Sequence, residues 1–348
     1  MKQKCRIIAA FFAFAILAGV SDLSAEEKTK EFHEAWTINS VETLKIINKF
    51  GEVKIYNNRS DSVTIDVVIT VEAPNENKAD ELLEEINIEF GKSAKTIKAE
   101  TIITKDFKSR QKFSIDYEVN IPTDKNLDIV NKYGNTIVGE LNANGDFDIK
   151  YGNFTAGQLN AAEVGKMNLN MEYGKADVSS GNDINVTVKY STLNFGELDD
   201  LIMESKYAVV NIQKANSVNS DSKYDTFNFD EVNSFEANTK YSHIKIGRLI
   251  KSLKVDAGYG GIIVDQVDSE FDFIDVTNSY GQIAINLNDA SYLIDAECEY
   301  CGISYPQDNF EGNKISESQT KRVKGKVGTS NGGSVMLRSK YGNIKLKD

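Results

Sequence analysis

The stretch that decides the fold is residues 189–250, which reads KYSTLNFGELDDLIMES, KYAVVNIQKANSVNSDS, KYDTFNFDEVNSFEANT and KYSHIKIGRLI in four successive units. Each unit begins with Lys in slot one and Tyr in slot two, and the units recur every 17 residues. Slots five and seven are apolar in every unit, and slot six between them is polar. Apolar residues two apart predict β-strands with one inward face. The residues in slots five and seven are Leu193, Phe195, Val210, Ile212, Phe227, Phe229, Ile244 and Ile246.

The spacing of apolar residues changes after slot seven, where the next apolar slots are ten and thirteen. This break in alternation predicts bends, so each unit is expected to form two short strands joined by corners. A unit of 17 residues cannot bury its own apolar face and must stack on its neighbours. The sequence therefore predicts a mainly β fold, a parallel β-solenoid of tyrosine-marked rungs of 17–22 residues, with slots such as Asn228 and Lys245 exposed to solvent.

The tyrosine mark extends far beyond these four units. We call the eleven tyrosines in this register the tyrosine ladder: Tyr133, Tyr151, Tyr173, Tyr190, Tyr207, Tyr224, Tyr241, Tyr259, Tyr280, Tyr300 and Tyr341. The gap before Tyr341 is 41 residues, about two periods, and holds a polar insertion at about residues 306–330. Eleven intervals of ~4.8 Å between Tyr133 and Tyr341 would give a rod of ~53 Å.

The ladder has two interpretations. Stacked tyrosines in register would be structural, and the glycine that often follows each tyrosine would supply the unusual backbone angles of a corner. The alternative is an exposed platform on which sugars stack. Near the N-terminus, Asn48-Lys49-Phe50-Gly51 resembles a distant copy of the same box.

Residues 26–125 have a different pattern, which predicts a small α+β cap over the first rung of a solenoid at residues 126–348. Residues 63–71, 96–104 and 113–121 read as strands. Residues 77–90 carry apolar side chains at the spacing of one helical face. Solenoids need such caps because the end rung exposes unpaired edges.

Residues 1–25 combine a basic start, an apolar run from Ile7 to Val20 and a small residue, Ala25, at a plausible cleavage point. These features predict a secretory signal peptide. Cys5 lies before the apolar run, so it is not placed to be the lipidated cysteine of a lipoprotein. The mature chain is then expected to be exported, to the periplasm or the cell surface, with no membrane span.

The chain has 40 basic and 52 acidic side chains and a net charge of −12. Such an acidic balance disfavours nucleic acid and anionic membranes as partners, since both are bound by clustered Lys and Arg. The densest basic patch is Lys321, Arg322, Lys324 and Lys326, which reads as a solvated loop. An unknown envelope protein or a glycan is the expected partner.

Few side chains could carry catalysis. His33 and His243 are the only histidines, and no zinc spacing or nucleotide-binding fingerprint is present. We therefore expect no catalytic residue, no metal site and no cofactor. The carboxylate pairs that a polysaccharide-acting enzyme could use are Asp199 with Asp200, Asp225 with Asp230, and Asp265 with Asp268.

Cys298 and Cys301 form a CxxC set at the ladder position Tyr300. They could close a local disulfide or remain inert thiols, and a thiol–disulfide exchange centre is the less favoured interpretation because no βαβ context surrounds them.

The order of several motifs resembles the bacterial "putative adhesin" β-solenoid family. The motifs are Tyr117-Glu118-Val119-Asn120-Ile121-Pro122, then Leu127-Asp128-Ile129 before the box at Tyr133, and the ending Gly332-Gly333-Ser334 with Tyr341-Gly342-Asn343-Ile344. The resemblance covers roughly residues 40–348. It implies an exported or envelope-associated protein with an adhesion-like role and brings no catalytic residues.

The leading functional hypothesis is a non-enzymatic binding or scaffold module at the cell envelope. A polysaccharide-acting enzyme with paired carboxylates is the first alternative, and a periplasmic sensor partner of a membrane protein is the second.

Overall fold

The computed structural model describes residues 26–57, 60–105, 107, 110–161, 165–329 and 332–348, and it is a β-solenoid. Strands make up 71% of the structure and helix only 4%, which confirms the mainly β prediction. The predicted signal peptide, residues 1–25 with Cys5, lies outside the described residues.

The N-terminal region contains seven strands and a short helix. They are β1 (Glu26–Thr37), a 3-10 turn (Ile38–Ser40), β2 (Thr43–Lys49), β3 (Val53–Tyr56), β4 (Ser62–Ala73), α1 (Glu76–Glu84), β5 (Ile86–Ser93), β6 (Thr96–Ile103) and β7 (Lys112–Asn120). The next strands are β8 (Asn126–Lys132), β9 (Thr136–Leu141), β10 (Gly145–Lys150), β11 (Phe154–Asn160), β12 (Met167–Glu172), β13 (Lys175–Asn182) and β14 (Ile184–Lys189).

The centre and the C-terminal region hold the remaining strands. The four long ones are β15 (Thr192–Lys206), β16 (Val209–Lys223), β17 (Thr226–Lys240) and β18 (His243–Gly258). They are followed by β19 (Ile262–Val267), β20 (Phe273–Ser279), β21 (Ile283–Asn286), β22 (Tyr292–Glu299), β23 (Ile303–Ser304), β24 (Phe310–Glu317), β25 (Thr320–Val327), β26 (Gly333–Lys340) and β27 (Ile344–Lys347).

Every rung crosses two parallel sheets, with an aromatic corner between them. The first sheet contains the strands that lead into a corner, in the order β2, β8, β10, β12, β14 and then the C-terminal halves of β15 to β18. The second sheet contains the strands that leave a corner, in the order β3, β9, β11, β13 and then the N-terminal halves of β15 to β18. The core is the space between these sheets.

The apolar slots read from the sequence line this core. The eight residues in slots five and seven are at most 3% exposed. Along β15, buried residues are two apart up to Phe195, then three apart at Leu198 and Leu201, then two apart again. The three-residue steps are the predicted bends, but each central unit is one continuous strand of 15 or 16 residues rather than two short ones.

The prediction that Asn228 is exposed is wrong, because slot six forms an amide ladder. Asn228 donates to Asn211 at 2.9 Å, Asn211 donates to Asn194 at 2.8 Å, and Asn194 donates to Asp177 at 2.8 Å. Each side chain is half-buried by its neighbours in the next rungs. Lys245 ends this row and is exposed as predicted.

The first rung of the solenoid lies before residue 126, where the sequence pattern predicts that the solenoid begins. β2 pairs in parallel with β8, and β3 pairs in parallel with β9, so residues 43–56 form a rung with Phe50 at its corner. The remaining N-terminal strands extend the two sheets, first by one parallel strand each and then by antiparallel strands. β7, β4 and β1 continue the second sheet, and β6 and β5 continue the first.

The predicted helix over residues 77–90 is shorter in the structure. Asn75 caps α1 by accepting a hydrogen bond from the Lys78 amide, and the helix ends at Glu84. Ile86 and Ile88 are buried two residues apart, so the chain continues as the strand β5 instead of a third helical turn.

The C-terminal end departs from chain order. β26 pairs with β20 on one side and with β22 on the other, so the rung at residues 333–347 lies between two rungs that precede it in sequence. The expectation that Tyr341 lies two periods beyond Tyr300 is therefore wrong. Nine intervals, not eleven, separate Tyr133 from Tyr341, which gives ~43 Å. The polar insertion forms the β24–β25 hairpin, and β25 pairs antiparallel with β22 as the C-terminal cap.

Candidate functional site: the tyrosine edge

The aromatic corners form one continuous stack along an edge of the molecule. Neighbouring ring centroids are 4.7–5.1 Å apart and the rings are 2–21° from parallel. The stack begins at Phe50, follows the ladder in sequence from Tyr133 to Tyr280, and ends with Tyr341 and then Tyr300. Each ladder tyrosine is 41–53% exposed.

The unusual backbone at each corner belongs to the tyrosine and not to the glycine that often follows it. All eleven ladder tyrosines have φ between 51° and 61°, and Phe50 has φ 64°. This left-handed conformation costs a residue with a Cβ about 1–2 kcal/mol. The glycine instead permits close approach of rungs, because a Cβ at Gly152 would lie 1.9 Å from the Gly134 carbonyl oxygen.

Buried polar side chains close these corners from the inside. Asn131 donates to the carbonyls of Gly51 and Asn135, and Asn278 donates to those of Gly260 and Gly281. Ser339 does the same for Gly342. The corner carbonyls point into the core, so their bonds avoid the cost of an unpaired buried acceptor.

The stack presents ring edges and hydroxyls to solvent. Since each ring lies face to face with its neighbours, the faces that would stack on a sugar are covered along the stack. At the first end, Phe113 packs against the Phe50 ring with centroids 5.2 Å apart. None of the ladder hydroxyls has a hydrogen-bond partner in the parts of the chain that the structure describes. The edge is therefore a row of phenol hydroxyls, one for each rung after the first, whose corner is Phe50.

A row of lysines runs beside the central tyrosines. Lys189, Lys206, Lys223 and Lys240 each precede a ladder tyrosine, and all four are exposed. Within the described residues none of them forms an ion pair, whereas Lys150 pairs with Glu172 at 3.4 Å in the same row. The Lys206 ammonium lies 5.4 Å from the Tyr207 ring centroid. The lysine row therefore runs beside the ladder, and at Tyr207 the ammonium lies near the ring itself.

Two further rows border this edge. On the far side of the lysines, Glu204 and Asp221 are exposed two residues earlier on the same sheet face. On the other side of the tyrosines lie Thr192, Val209, Thr226 and His243, which pair in register. The histidine is exposed in this last row. The 17-residue register predicts where these lysines lie along the chain but not that they form an isolated basic row.

Asp225 is a charged group that the sequence pattern did not single out as buried. It takes the glycine position after Tyr224, is 2% exposed, and accepts hydrogen bonds from the Ala208 amide at 2.6 Å and the Ser205 hydroxyl at 2.7 Å. Burial raises the pKa of the Asp225 carboxyl, and these bonds act against the rise. It points inward and away from Asp230, which is exposed.

The aspartates of the other two pairs either form ion pairs or lie away from the grooves of the surface. Asp268 accepts from Arg248 at 2.7 Å, and Asp265 lies 3.6 Å from Lys245. Burial, together with the charges of Asp199 and Asp183, raises the pKa of Asp200. Grooves of about 780, 440 and 200 Å³ lie elsewhere, and none of the six aspartates lines them.

The remaining candidates are placed as follows. Cys298 and Cys301 are bonded to each other across the corner at Tyr300. His33 contacts Asp66 at 2.5 Å on the outer face of the N-terminal cap. No cluster of three potential metal ligands occurs among the described residues. No helix in the described part of the chain has the length and hydropathy of a membrane span.

Comparison with known proteins finds similarity to solved structures. No family model matches the sequence, and no curated protein matches it either. Solved structures that are similar include a "putative cell adhesion protein" from Clostridium sporogenes, with 12% identity, coverage of 92% of this chain and 99% of that one, and a TM-score of 0.22. A "putative adhesin" from Parabacteroides distasonis has 11% identity, coverage of 73% and 93%, and a TM-score of 0.35.

A "Putative lipid binding protein" from Parabacteroides distasonis has 14% identity, coverage of 74% and 95%, and a TM-score of 0.34. The two adhesin names agree with the resemblance stated from the sequence.

Proposed function

We propose that the chain is an exported, non-enzymatic binding module of the cell envelope that holds an extended glycan along the tyrosine edge. The observation that carries the proposal is the row of ladder hydroxyls. The rings that carry them have centroids 4.7–5.0 Å apart, and the hydroxyls face solvent and have no partner within the described residues. Extended glycans are polymers of hydroxyl groups at regular intervals, so such a row can hydrogen-bond to successive units.

The choice of residue at the corners supports a binding role. Stacking alone needs only a ring, as Phe50 demonstrates at the first corner. The left-handed backbone favours Gly or Asn over any aromatic residue. Tyr at eleven successive corners therefore supplies something beyond the backbone conformation and the stacking, and the exposed hydroxyl is the group that Phe lacks.

Export is supported by the sequence features of residues 1–25, and a non-enzymatic role is supported by the carboxylates. Asp265 and Asp268 are neutralised by basic partners, and Asp225 is directed into a corner of the core. A glycosidase pair needs one carboxyl as acid and one as nucleophile or base, both facing the same substrate. We therefore expect residues 26–348 to bind polysaccharides without releasing new reducing ends.

The test uses residues 26–348 on an array of neutral and acidic glycans, followed by titration of the best one. A variant with Tyr190, Tyr207, Tyr224 and Tyr241 all replaced by Phe keeps the stack and removes four hydroxyls. Its affinity should fall at least tenfold, about 1.4 kcal/mol or more, with an unchanged melting temperature.

Tyr56→Phe is the matched control, since Tyr56 is 41% exposed but lies outside the ladder. This variant should bind as the wild type does. Binding of no glycan, or equal affinity of the fourfold variant, would refute the proposal. Product release that Asp200→Asn abolishes would establish an enzyme instead.

A further inference from the structure

We infer that the central four rungs of the tyrosine edge form a subsite for an acidic polysaccharide, whose carboxylates are held by Lys189, Lys206, Lys223 and Lys240. This inference rests on the proposed function and names the class of glycan. The four lysines are exposed, unpaired within the described residues, and each is adjacent in sequence to a ladder tyrosine. They are free to pair with an external anion.

The subsite has defined ends. One rung before Lys189 the row continues with Glu172, and one rung after Lys240 it continues with Gly258. The four rungs between these ends are the ones with 17-residue periods and no insertion, so their corners are evenly spaced. The ring centroids from Tyr190 to Tyr241 are separated by three intervals of 4.8–4.9 Å. At one unit per rung, the subsite spans about four sugar units.

The row of four lysines is positively charged, whereas the molecule as a whole is negatively charged. The chain has a net charge of −12, and several lysines in the sheets form ion pairs with a neighbouring rung, such as Lys254 with Glu236 at 2.7 Å. Unpaired lysines in four consecutive rungs form a local positive stripe in an acidic surface. Glu204 and Asp221 border the stripe on the side away from the tyrosines, which directs an anionic ligand toward the hydroxyls.

The geometry favours a glycan over a single-stranded nucleic acid. Proteins bind single strands by stacking bases on aromatic faces, within a strongly positive groove. Here the ring faces are covered by their neighbours at 4.8–4.9 Å, and only four lysines are available. A uronic acid polymer needs a cation for each carboxylate and hydrogen-bonding groups for its hydroxyls, and each rung offers one ammonium and one phenol.

The experiment measures binding of residues 26–348 to polygalacturonate, alginate and hyaluronan, with highly methyl-esterified pectin and dextran as neutral counterparts. The wild type should bind at least one acidic polymer tenfold more tightly than its neutral counterparts, and this preference should fall as salt is raised. Replacing Lys189, Lys206, Lys223 and Lys240 with Gln should abolish the preference.

The matched control replaces Lys314, Lys321, Lys324 and Lys326 with Gln. It changes the net charge equally but lies on the β24–β25 hairpin, beside the Tyr300 end of the ladder and four rungs from Tyr241. This control should retain the preference and the affinity. Circular dichroism and the melting temperature should match those of the wild type for both variants, since all eight side chains lie at the surface.

The outcomes separate the inference from the proposed function. Equal binding of acidic and neutral glycans, with loss only in the fourfold Tyr→Phe variant, would overturn the inference and leave the proposed function standing. Equal losses in both lysine variants would also overturn it, because the effect would be one of net charge. A single-stranded oligonucleotide bound as tightly as the acidic polymer would refute the assigned class. Binding of no glycan would refute the proposed function itself.

Discussion

The centre of the solenoid and its C-terminal end are built from similar rungs but are ordered differently. In β15 to β18, each unit stacks on the one that follows it in sequence, residue for residue. At the C-terminal end, β26 enters between β20 and β22. The comparison shows that the sequence of a rung does not determine its position in the stack. Its inward residues and its corner allow it to stack on any matching rung, and the connecting segments determine which one it meets.

The largest expected effect is in the core of the central rungs. Phe229 is 3% exposed and lies 4.8 Å from the Phe235 ring across the core. Phe229→Ala should cost about 3–5 kcal/mol, measured by urea unfolding, because it removes a buried ring and leaves a cavity. Ile315→Ala on the C-terminal hairpin, at a side chain 45% exposed, should cost less than about 0.5 kcal/mol. Similar costs for the two would contradict the assignment of the core.

A second difference lies in the side chains that close the corners from inside. The outer corners use Asn131 and Asn278, whereas central corners use hydroxyls such as Ser222, which donates to Thr239 at 2.6 Å. Asn278→Ala should cost about 1–3 kcal/mol, because the carbonyls of Gly260 and Gly281 lose their buried donor. Ser222→Ala leaves no corner carbonyl unpaired and should cost less. Equal losses in urea unfolding would show that the two kinds of corner are equivalent.

The third prediction concerns the backbone at Tyr224, whose φ is 61°. Both Tyr224→Ala and Tyr224→Gly remove the ring, but only Gly adopts this conformation without strain. The Gly variant should therefore be more stable than the Ala variant by about 1 kcal/mol. At Ser220, in the middle of a central strand, the order should reverse, since Gly weakens strands. An Ala variant at 224 that equals or exceeds the Gly variant would refute the strain argument.

The smallest effect depends on pH and distinguishes Asp225 at a central corner from Asp268 near a bend. Burial raises the pKa of Asp225, so the stability that this group contributes is present below its unfolded pKa and is lost as pH rises through the folded value. Asp225→Asn should therefore gain stability relative to wild type as pH increases from about 3 to 7.

Asp268 should behave in the opposite way. The Glu270 amide and the Arg248 guanidinium lower the pKa of its carboxyl, so its contribution is present above the unfolded pKa and is lost as pH falls. Asp268→Asn should thus be less stable than wild type at pH 7, with the difference vanishing in acid. Melting curves across this pH range measure both. Parallel profiles for the two variants would contradict the assignment of Asp225 as buried.

The repeat made most of the fold predictable. Slots five and seven identified the core because their two-residue spacing is a direct signature of strands, and the step to slots ten and thirteen located the bends. The crossing at the C-terminal end was not predictable, because a 41-residue gap is compatible with two rungs in order. Only the pairing of β26 with both β20 and β22 resolves which rung lies between.

The candidate site was predicted in part. The regular spacing identified the ladder residues, but the sequence favours glycine as the residue with freedom of backbone angle, and the structure puts the positive φ on tyrosine. The positive φ of each tyrosine determines whether its ring is buried or exposed. The spacing of the tyrosines in the sequence does not predict this angle. The half-buried Asn228 was missed for a related reason, since its burial comes from identical side chains in adjacent rungs.

The crossed rung also constrains the timing of assembly. β26 is synthesised after both of its neighbours, β20 and β22, so these two strands wait with one edge open until the later segment arrives. During that interval the β24–β25 hairpin and β22 are tethered to the rod only through the connection that follows β21. A chain that emerges from its N-terminus onward can complete its first ten rungs one by one, but it finishes its last two together.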